Sequence, residues 1–225
     1  MTKDHVIAVL GGTGNEGSGL ALRFANAGYR VVIGSRDPGK AAATAGALAS
    51  LCNADHLSGA DNTTAAKQAD IVILTVPYAA QRTTIEDVRD QLTGKILIDA
   101  TVPLVPPRVS RVQLPDQGSA VAGIQALLGD KVRVVSAFQN VSAHHLKDLS
   151  HEVECDVLVC GDDAAAKDTV LALIAAIGLR GVNAGPIANS AAAEALTSIL
   201  ISLNARYKSA GTGIRITGLP AKQAM

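Results

Sequence analysis

A short apolar run, followed at once by clustered glycines and then by a helical stretch, constrains this chain more than any other feature. Val6-Ile-Ala-Val-Leu10 reads as a strand buried on both faces, the pattern of a parallel sheet. In Gly11-Gly12-Thr13-Gly14-Asn15-Glu16-Gly17 the spacing of Gly12, Gly14 and Gly17 satisfies G-x-G-x-x-G. Alone that spacing is weak, because glycines recur by chance. Between a strand and a helix it meets three physical demands: a tight turn at Gly12, close backbone approach to a pyrophosphate at Gly14, and helix–strand packing at Gly17. The helix, expected from about Asn15 to Ala27 with Gly28 ending it, would offer free N–H groups and its positive dipole end to phosphate. A glycine turn with no ligand is the plainer alternative.

The same alternation continues through the first half. Strands are expected at Tyr29 to Gly34, weakly near His56–Ser58, at Ile71 to Val76 (stopped by Pro77), and at Ile96–Ile98, ending at Asp99. Helices are expected from Pro38 to about Leu51, near Thr63–Gln68, and through Ile85, Val88 and Leu92 up to Gly94. This order predicts an α/β fold, a Rossmann-type doubly wound and mostly parallel sheet with a C-terminal helix and tail. Val102 to Pro115 carries four prolines and is a long loop, the kind that often serves function. Beyond it come a helix near Ser119–Leu128, strands at Val132–Phe138, Val157–Cys160 and Gly181–Val182, a helix at about Ala164 to Ile177, and a last helix at Ser190 to Tyr207. Asp162 and Asp163 stand where carboxylates cap helix N–H groups. With no repeat and no linker, residues 1–185 are expected to form an NADP-binding Rossmann-like unit. Residues 186–225 would complete the cleft and a dimer interface.

Which dinucleotide fits is decided at the end of the second strand. An NAD site has Asp or Glu there to accept from the ribose 2′-hydroxyl. This chain has Gly34-Ser35-Arg36, with Lys40 a helical turn further. A hydroxyl, a guanidinium and an ammonium suit a 2′-phosphate, so NADP is favoured over NAD. Asp37 is the competing feature, because a register shifted by two would make it the ribose carboxylate.

Composition excludes several other classes. Twenty Lys and Arg balance twenty Asp and Glu, so no net positive field draws the chain to nucleic acid or anionic lipid. Three Tyr, two Phe and no Trp leave little to stack bases on. No apolar run reaches the length of a membrane helix, and three cysteines suit a reducing cytoplasm better than a disulfide framework. Cys155 and Cys160 are spaced to face opposite ways on a strand, and His144 and His145 lack ligand spacing, so no metal is expected; one histidine of the pair would be buried and one solvated. No catalytic side chain stands out either. Tyr78 and Tyr207 have no lysine four residues on, and a missing proton relay points to a reaction needing little protein acid or base.

Gly11-Gly-Thr-Gly-Asn15, Val32-Ile-Gly-Ser-Arg36, Leu74-Thr-Val-Pro77, Val135-Ser-Ala137, Cys160-Gly-Asp-Asp163, Ala184-Gly-Pro186 and Asn189-Ser190 occur in that order. With these motifs the chain closely resembles the NADPH-dependent reductases of the deazaflavin coenzyme F-420 (8-hydroxy-5-deazaflavin), from about Val6 to Ile216. Ferric reductases with a related cytosolic domain share much of the pattern but carry membrane helices.

The resemblance implies direct hydride transfer between nicotinamide and deazaflavin, stacked in a cleft at the carboxyl edge of the sheet, with no catalytic side chain. It places the pyrophosphate on Thr13, Gly14, Asn15 and Glu16 and the 2′-phosphate on Ser35, Arg36 and Lys40. It brings Val76 and Pro77 to the nicotinamide ribose. Gln139, Asn140, Val141 and Ala143 would lie beside the two rings, the two amides holding the deazaflavin by hydrogen bonds. Thr212 and Gly213 would close over the nicotinamide end, of the same or the other subunit. Gln139 stands where some members have His, and Tyr78-Ala79-Ala80 replaces a Trp-Glu-His stretch. A reductase of another acceptor (a flavin, ferric chelate, imine or carbonyl compound) and a non-enzymatic NADP-sensing module are the alternatives. Leu196, Ile199, Leu200, Ile201 and Leu203 spread apolar surface around the last helix, which predicts a homodimer.

Overall fold

Along each central strand, successive side chains enter two different hydrophobic clusters. Ile7, Val9, Val31, Ile33, Ile71, Ile73, Ile96 and Ile98 belong to one; Ala8, Leu10, Val32, Val72, Leu74 and Leu97 belong to the other. Because side chains alternate along a strand, this division means that both faces of the sheet are covered. The computed structural model describes residues 5–219 apart from Asn53; the outer bounds of the two expected units, residues 1–185 and 186–225, fall outside the described residues.

The strands are β1 (Val6–Leu10), β2 (Arg30–Ser35), β3 (Leu57–Asp61), β4 (Ile71–Leu74), β5 (Ile96–Asp99), β6 (Arg133–Ser136), β7 (Asp156–Gly161) and β8 (Arg180–Asn183). The helices are α1 (Asn15–Asn26), α2 (Pro38–Cys52), α3 (Asn62–Gln68), α4 (Tyr78–Leu92), α5 (Ala120–Leu128), α6 (Ala143–Leu146), α7 (Ala164–Ala176) and α8 (Ser190–Tyr207). Leu20, Phe24, Ala41, Ala45, Val170 and Leu173 bring α1, α2 and α7 to the first face. Ala65, Ala66, Ile85, Val88, Val121 and Ile124 bring α3, α4 and α5 to the second. Burying each such large apolar side chain is worth roughly 1.5–3 kcal/mol.

Strand order is β3-β2-β1-β4-β5-β6-β7-β8. Every pairing is parallel except β6 with β7, which is antiparallel. The doubly wound, mostly parallel sheet expected from the sequence is therefore the one observed. From β1 the chain turns to β2 on one side and later to β4 on the other, which makes the carboxyl ends of β1 and β4 the switch point where such sheets open a crevice. The reversal at β7 has a second consequence. Gly161 pairs with Val135 and Cys160 with Ser136, so the first residues of β7 project past the carboxyl end of β6, on the crevice side of the sheet.

Several expected bounds shift. The weak strand near His56–Ser58 is Leu57–Asp61, the run to Val76 pairs only to Leu74, and Val132–Phe138 pairs only over Arg133–Ser136. Phe138 explains the last of these. It is fully buried and has φ +78°, a conformation a bulky residue adopts only where its surroundings impose it. The backbone therefore leaves the strand there. The short helix α6 carries too few residues to show a period in sequence.

Candidate functional site

The glycine loop sits in the crevice between β1 and β4. Gly11 N and Gly12 N both donate to Gly34 O, at 3.1 and 3.2 Å, which ties the loop to the end of β2. The left-handed residue of the turn is Gly11, with φ +77°, one position before the glycine expected to make it. A Cβ on Gly12 would lie 2.7 Å from Val9 O, and one on Gly17 would lie 2.8 Å from Gly11 O and from Gly12 Cα. Both close approaches hold helix α1 against the strand. Gly14 differs: a Cβ there would meet nothing nearer than Gly11 O at 3.3 Å, and the residue is exposed. Space over Gly14 is thus open.

At the N-terminus of α1, Gly14 is the cap residue and no side chain caps the helix. Its first N–H groups have no intrahelical acceptor and point to the crevice edge, as an anion site requires. The opposite wall is Val76, which packs on the loop; a Cβ on Gly11 would reach Val76 Cγ1 at 2.9 Å. Thr75 Oγ1 donates to Leu10 O at 2.9 Å and locks the two strand ends together. Pro77 is exposed and caps α4.

Beyond β2, Ser35 is buried while Arg36 and Lys40 are exposed. Asp37 turns back onto its own helix, where Oδ1 accepts from Lys40 N at 3.1 Å, and Asp37 N donates to Ser35 Oγ at 3.2 Å. One oxygen of the carboxylate that competed for the ribose is thereby engaged as a helix cap.

Glu16 is half-buried, yet its carboxyl is enclosed. Burial first, and the charge of Asp99 second, push it up to about 8. Asp99, at the end of β5, is fully buried. Its carboxyl is raised by burial despite hydrogen bonds from Thr101 N (2.9 Å) and Gln81 Nε2 (2.7 Å). Sequence reasoning missed Asp99; its position at a strand end beside the switch point was the available signal.

The ring-side segment follows β6. Gln139 and Asn140 are buried, and their amides turn inward instead of lining the cleft as expected. Gln139 Nε2 donates to Asp99 O at 2.7 Å, and Asn140 Nδ2 to Asp156 O at 2.7 Å. The reversal of β7 supplies that second acceptor, which is why the sequence did not foretell it. Gln139 Oε1 has no partner, nor do Thr101 Oγ1 and Ser136 Oγ nearby. Val141 is buried and Ala143 half-buried. Helix α8 braces the segment through Thr197 Oγ1, which donates to Gln139 O at 2.7 Å.

In the tail, Thr212 N donates to Asn204 Oδ1 (2.8 Å) and Thr212 Oγ1 to Leu200 O (3.2 Å). Gly213 is in close contact with Cys155. Asp156 fixes the next residues by accepting from Ile216 N (2.6 Å) and Arg180 Nε (2.6 Å). The tail thus packs against residues of its own chain, near the ring-side segment. His144 is exposed and His145 half-buried, so neither is the buried member expected of the pair. An open concavity of about 590 Å³ separates the tail from the loop after α6, lined by Ser142, His145, His151, Glu154 and Thr212 among others. Among the described residues no cluster of three or more His, Cys, Asp or Glu could hold a metal.

A glycine loop opening an uncapped helix at the switch point of a doubly wound sheet is the arrangement of a dinucleotide-binding protein of the Rossmann class. Residues 6–103 match the family described as "NADP oxidoreductase coenzyme F420-dependent". The chain is 42% identical over 224 residues to "F420-dependent NADP reductase" of Methanothermobacter thermautotrophicus, covering 96% of this chain and 97% of that protein. It is also 42% identical over 221 residues to the protein of the same name from Methanocaldococcus jannaschii, covering 95% and 98%. A crystal structure of a putative F420-dependent NADP-reductase from Arthrobacter sp. FB24 superposes with a TM-score of 0.79 at 27% identity, covering 94% of this chain and 98% of that one. The chain belongs to the F420-dependent NADP reductase family.

Proposed function

We infer that the protein transfers a hydride between NADP(H) and coenzyme F-420. The observation that carries the reading is the bare, glycine-lined N-terminus of α1, with Arg36 and Lys40 free at the end of β2 and one Asp37 oxygen engaged as a helix cap. NADPH and F-420 supply the redox chemistry when bound. The pyrophosphate is assigned to the backbone and side chains of Gly12, Thr13, Gly14, Asn15, Glu16 and Gly17, and the 2′-phosphate to Ser35, Arg36 and Lys40. Val76 and Pro77 hold the nicotinamide ribose against the loop. Gln139, Asn140 and Val141 act as a buried bracket that fixes the backbone beside the rings, and Ala143 leaves room for their approach. Thr212 and Gly213 shield the nicotinamide end from water. No side chain is assigned acid–base chemistry.

Residues 1–185 form the dinucleotide-binding part, and residues 186–225 complete the cleft and the contact between two subunits. Exposed Ile199 and Tyr207 on α8 (48% and 69% exposed) support a homodimer, which a monomeric mass by light scattering at micromolar concentration would contradict. The free cysteines Cys52, Cys155 and Cys160 support a cytoplasmic protein. No described helix is long and apolar enough to cross a membrane. The functional test is spectrophotometric: NADPH should be oxidised in step with reduction of F-420, and NADH should substitute poorly. Turnover with a flavin but none with F-420 would move the protein to the reductases of other acceptors.

A further inference from the structure

Arg23 lies in the last turn of α1, on the helix whose other end opens the glycine loop. It is almost fully buried, and its hydrogen-bond partners are backbone carbonyls. Nε donates to Leu146 O at 2.9 Å. Nη2 reaches His145 O at 2.9 Å, Asp148 O at 2.8 Å and His151 O at 3.3 Å. These are the last carbonyls of α6 and those of the turn after it, groups that a helix end leaves without partners. A planar guanidinium can collect several such acceptors at once, where an ammonium cannot hold the same fan.

Two further contacts fasten the same pieces. Lys147 Nζ donates to Asn15 Oδ1 at 2.9 Å. Gly19 lets the helices touch, since a Cβ there would come within 2.7 Å of Leu146 Cβ. Helix α6 begins at Ala143, directly after the ring-side segment, whose upstream end is fixed by Gln139 on Asp99. That segment is therefore held at both ends: at one by the sheet, at the other by α1. Of the contacts at the second end, Lys147 is exposed and Arg23 alone is a buried, multiply bonded clamp.

We propose that Arg23 is a positioning residue for hydride transfer, clamping the acceptor-side segment to the helix that holds the dinucleotide and so fixing the separation of the two rings. This rests on the functional reading above. Near-attack geometry needs about 3–3.5 Å between the reacting atoms, and a misplacement of about 1 Å from a distant change can lower the rate about 100-fold. Arg23 touches neither ring in this assignment; it acts through residues 143–151.

The test compares wild type with Arg23→Met in single-turnover transfer to F-420 from NADPH deuterated at both C4 positions. The variant should bind NADPH as tightly as wild type, because the glycine loop is untouched, and transfer the hydride about 10–100-fold more slowly. Its primary isotope effect should depend more steeply on temperature than that of wild type, as expected when the reacting distance is no longer held. If Arg23→Met does not fold, Arg23→Lys, which keeps the charge without the planar fork, takes its place with the same readouts. A folded variant with wild-type rate and isotope effect would overturn the proposal. So would a rate loss accounted for by lost NADPH affinity or lost folded fraction, since that is what a purely structural role gives. If wild type itself moves no deuterium to F-420, the functional reading falls and the proposal with it.

Discussion

Two helix N-termini in this molecule meet the same electrostatic demand in opposite ways. At α5, Ser119 caps Ala122 N at 2.9 Å, and the buried Glu194 carboxylate accepts from Ala120 N (2.8 Å), Val121 N (3.2 Å) and Ser119 Oγ (2.6 Å). The protein brings its own carboxyl group from α8 to that site, its pKa raised by burial against the lowering effect of these hydrogen bonds. At α1 no side chain does so, and Gly14 leaves the space open. A helix N-terminus carries unpaired donors and partial positive charge wherever it lies. At α5 they hold the C-terminal helix to the sheet domain, and at α1 they remain available to a ligand.

If that comparison holds, changes at α5 should cost stability and spare binding, whereas changes at the α1 end should do the reverse. The largest effect is expected for Glu194→Ala, which strands the buried N–H groups of Ala120 and Val121. Unfolding free energy should fall by about 3 kcal/mol, with the NADPH dissociation constant unchanged, as read by denaturant titration and calorimetry. Arg36→Ala removes a charge-assisted contact of about 1.5–3 kcal/mol, so NADPH should bind about ten-fold or more weakly while NADH is unaffected and the denaturation midpoint stays put. Equal loss for both nucleotides would show that Arg36 does not read the 2′-phosphate. Ser119→Ala deletes a cap and should lower stability by about 1 kcal/mol without touching nucleotide affinity.

The smallest effect concerns Glu16, whose carboxyl is held at about 8 and so carries a proton at neutral pH. As pH rises through that value, a carboxylate forms beside the assigned phosphates, and NADPH affinity should fall. Glu16→Gln should flatten this dependence between pH 7 and 9, a window set by that pKa. The folding sign agrees: with a folded pKa above the ordinary 4.5, the group's contribution is full at low pH and is lost as pH rises through about 8. An unchanged pH profile in Glu16→Gln would mean that the carboxyl does not face the phosphates.

Much of this arrangement was legible in the sequence because it is local. The β1–glycine loop–α1 unit, Ser35-Arg36 at the end of β2, and Asp163 capping α7 through Ala166 N (2.7 Å) each lie within a few residues of the signal that announces them. What escaped depends on contacts between distant segments. Asp162 looked like a second cap but accepts from Ile187 N, 25 positions away. The inward turn of Gln139 and Asn140 needs the positive φ of Phe138 and the reversed β7, neither of which has a spacing to read. Arg23 resembles an ordinary helix-surface charge until α6 is laid against it. The resemblance points the amides of Gln139 and Asn140 at the deazaflavin, whereas their Nε2 and Nδ2 groups donate to backbone carbonyls of Asp99 and Asp156.

Direct transfer requires nicotinamide and deazaflavin to meet between the uncapped end of α1 and the bracketed segment after β6. The decisive measurement is rapid mixing of NADPH deuterated at both C4 positions with F-420, followed by mass analysis of the reduced coenzyme. One deuterium should reach the deazaflavin without exchange into solvent, at a rate slowed by the primary isotope effect. Reduced coenzyme free of deuterium, or no reduction at all, would contradict direct transfer.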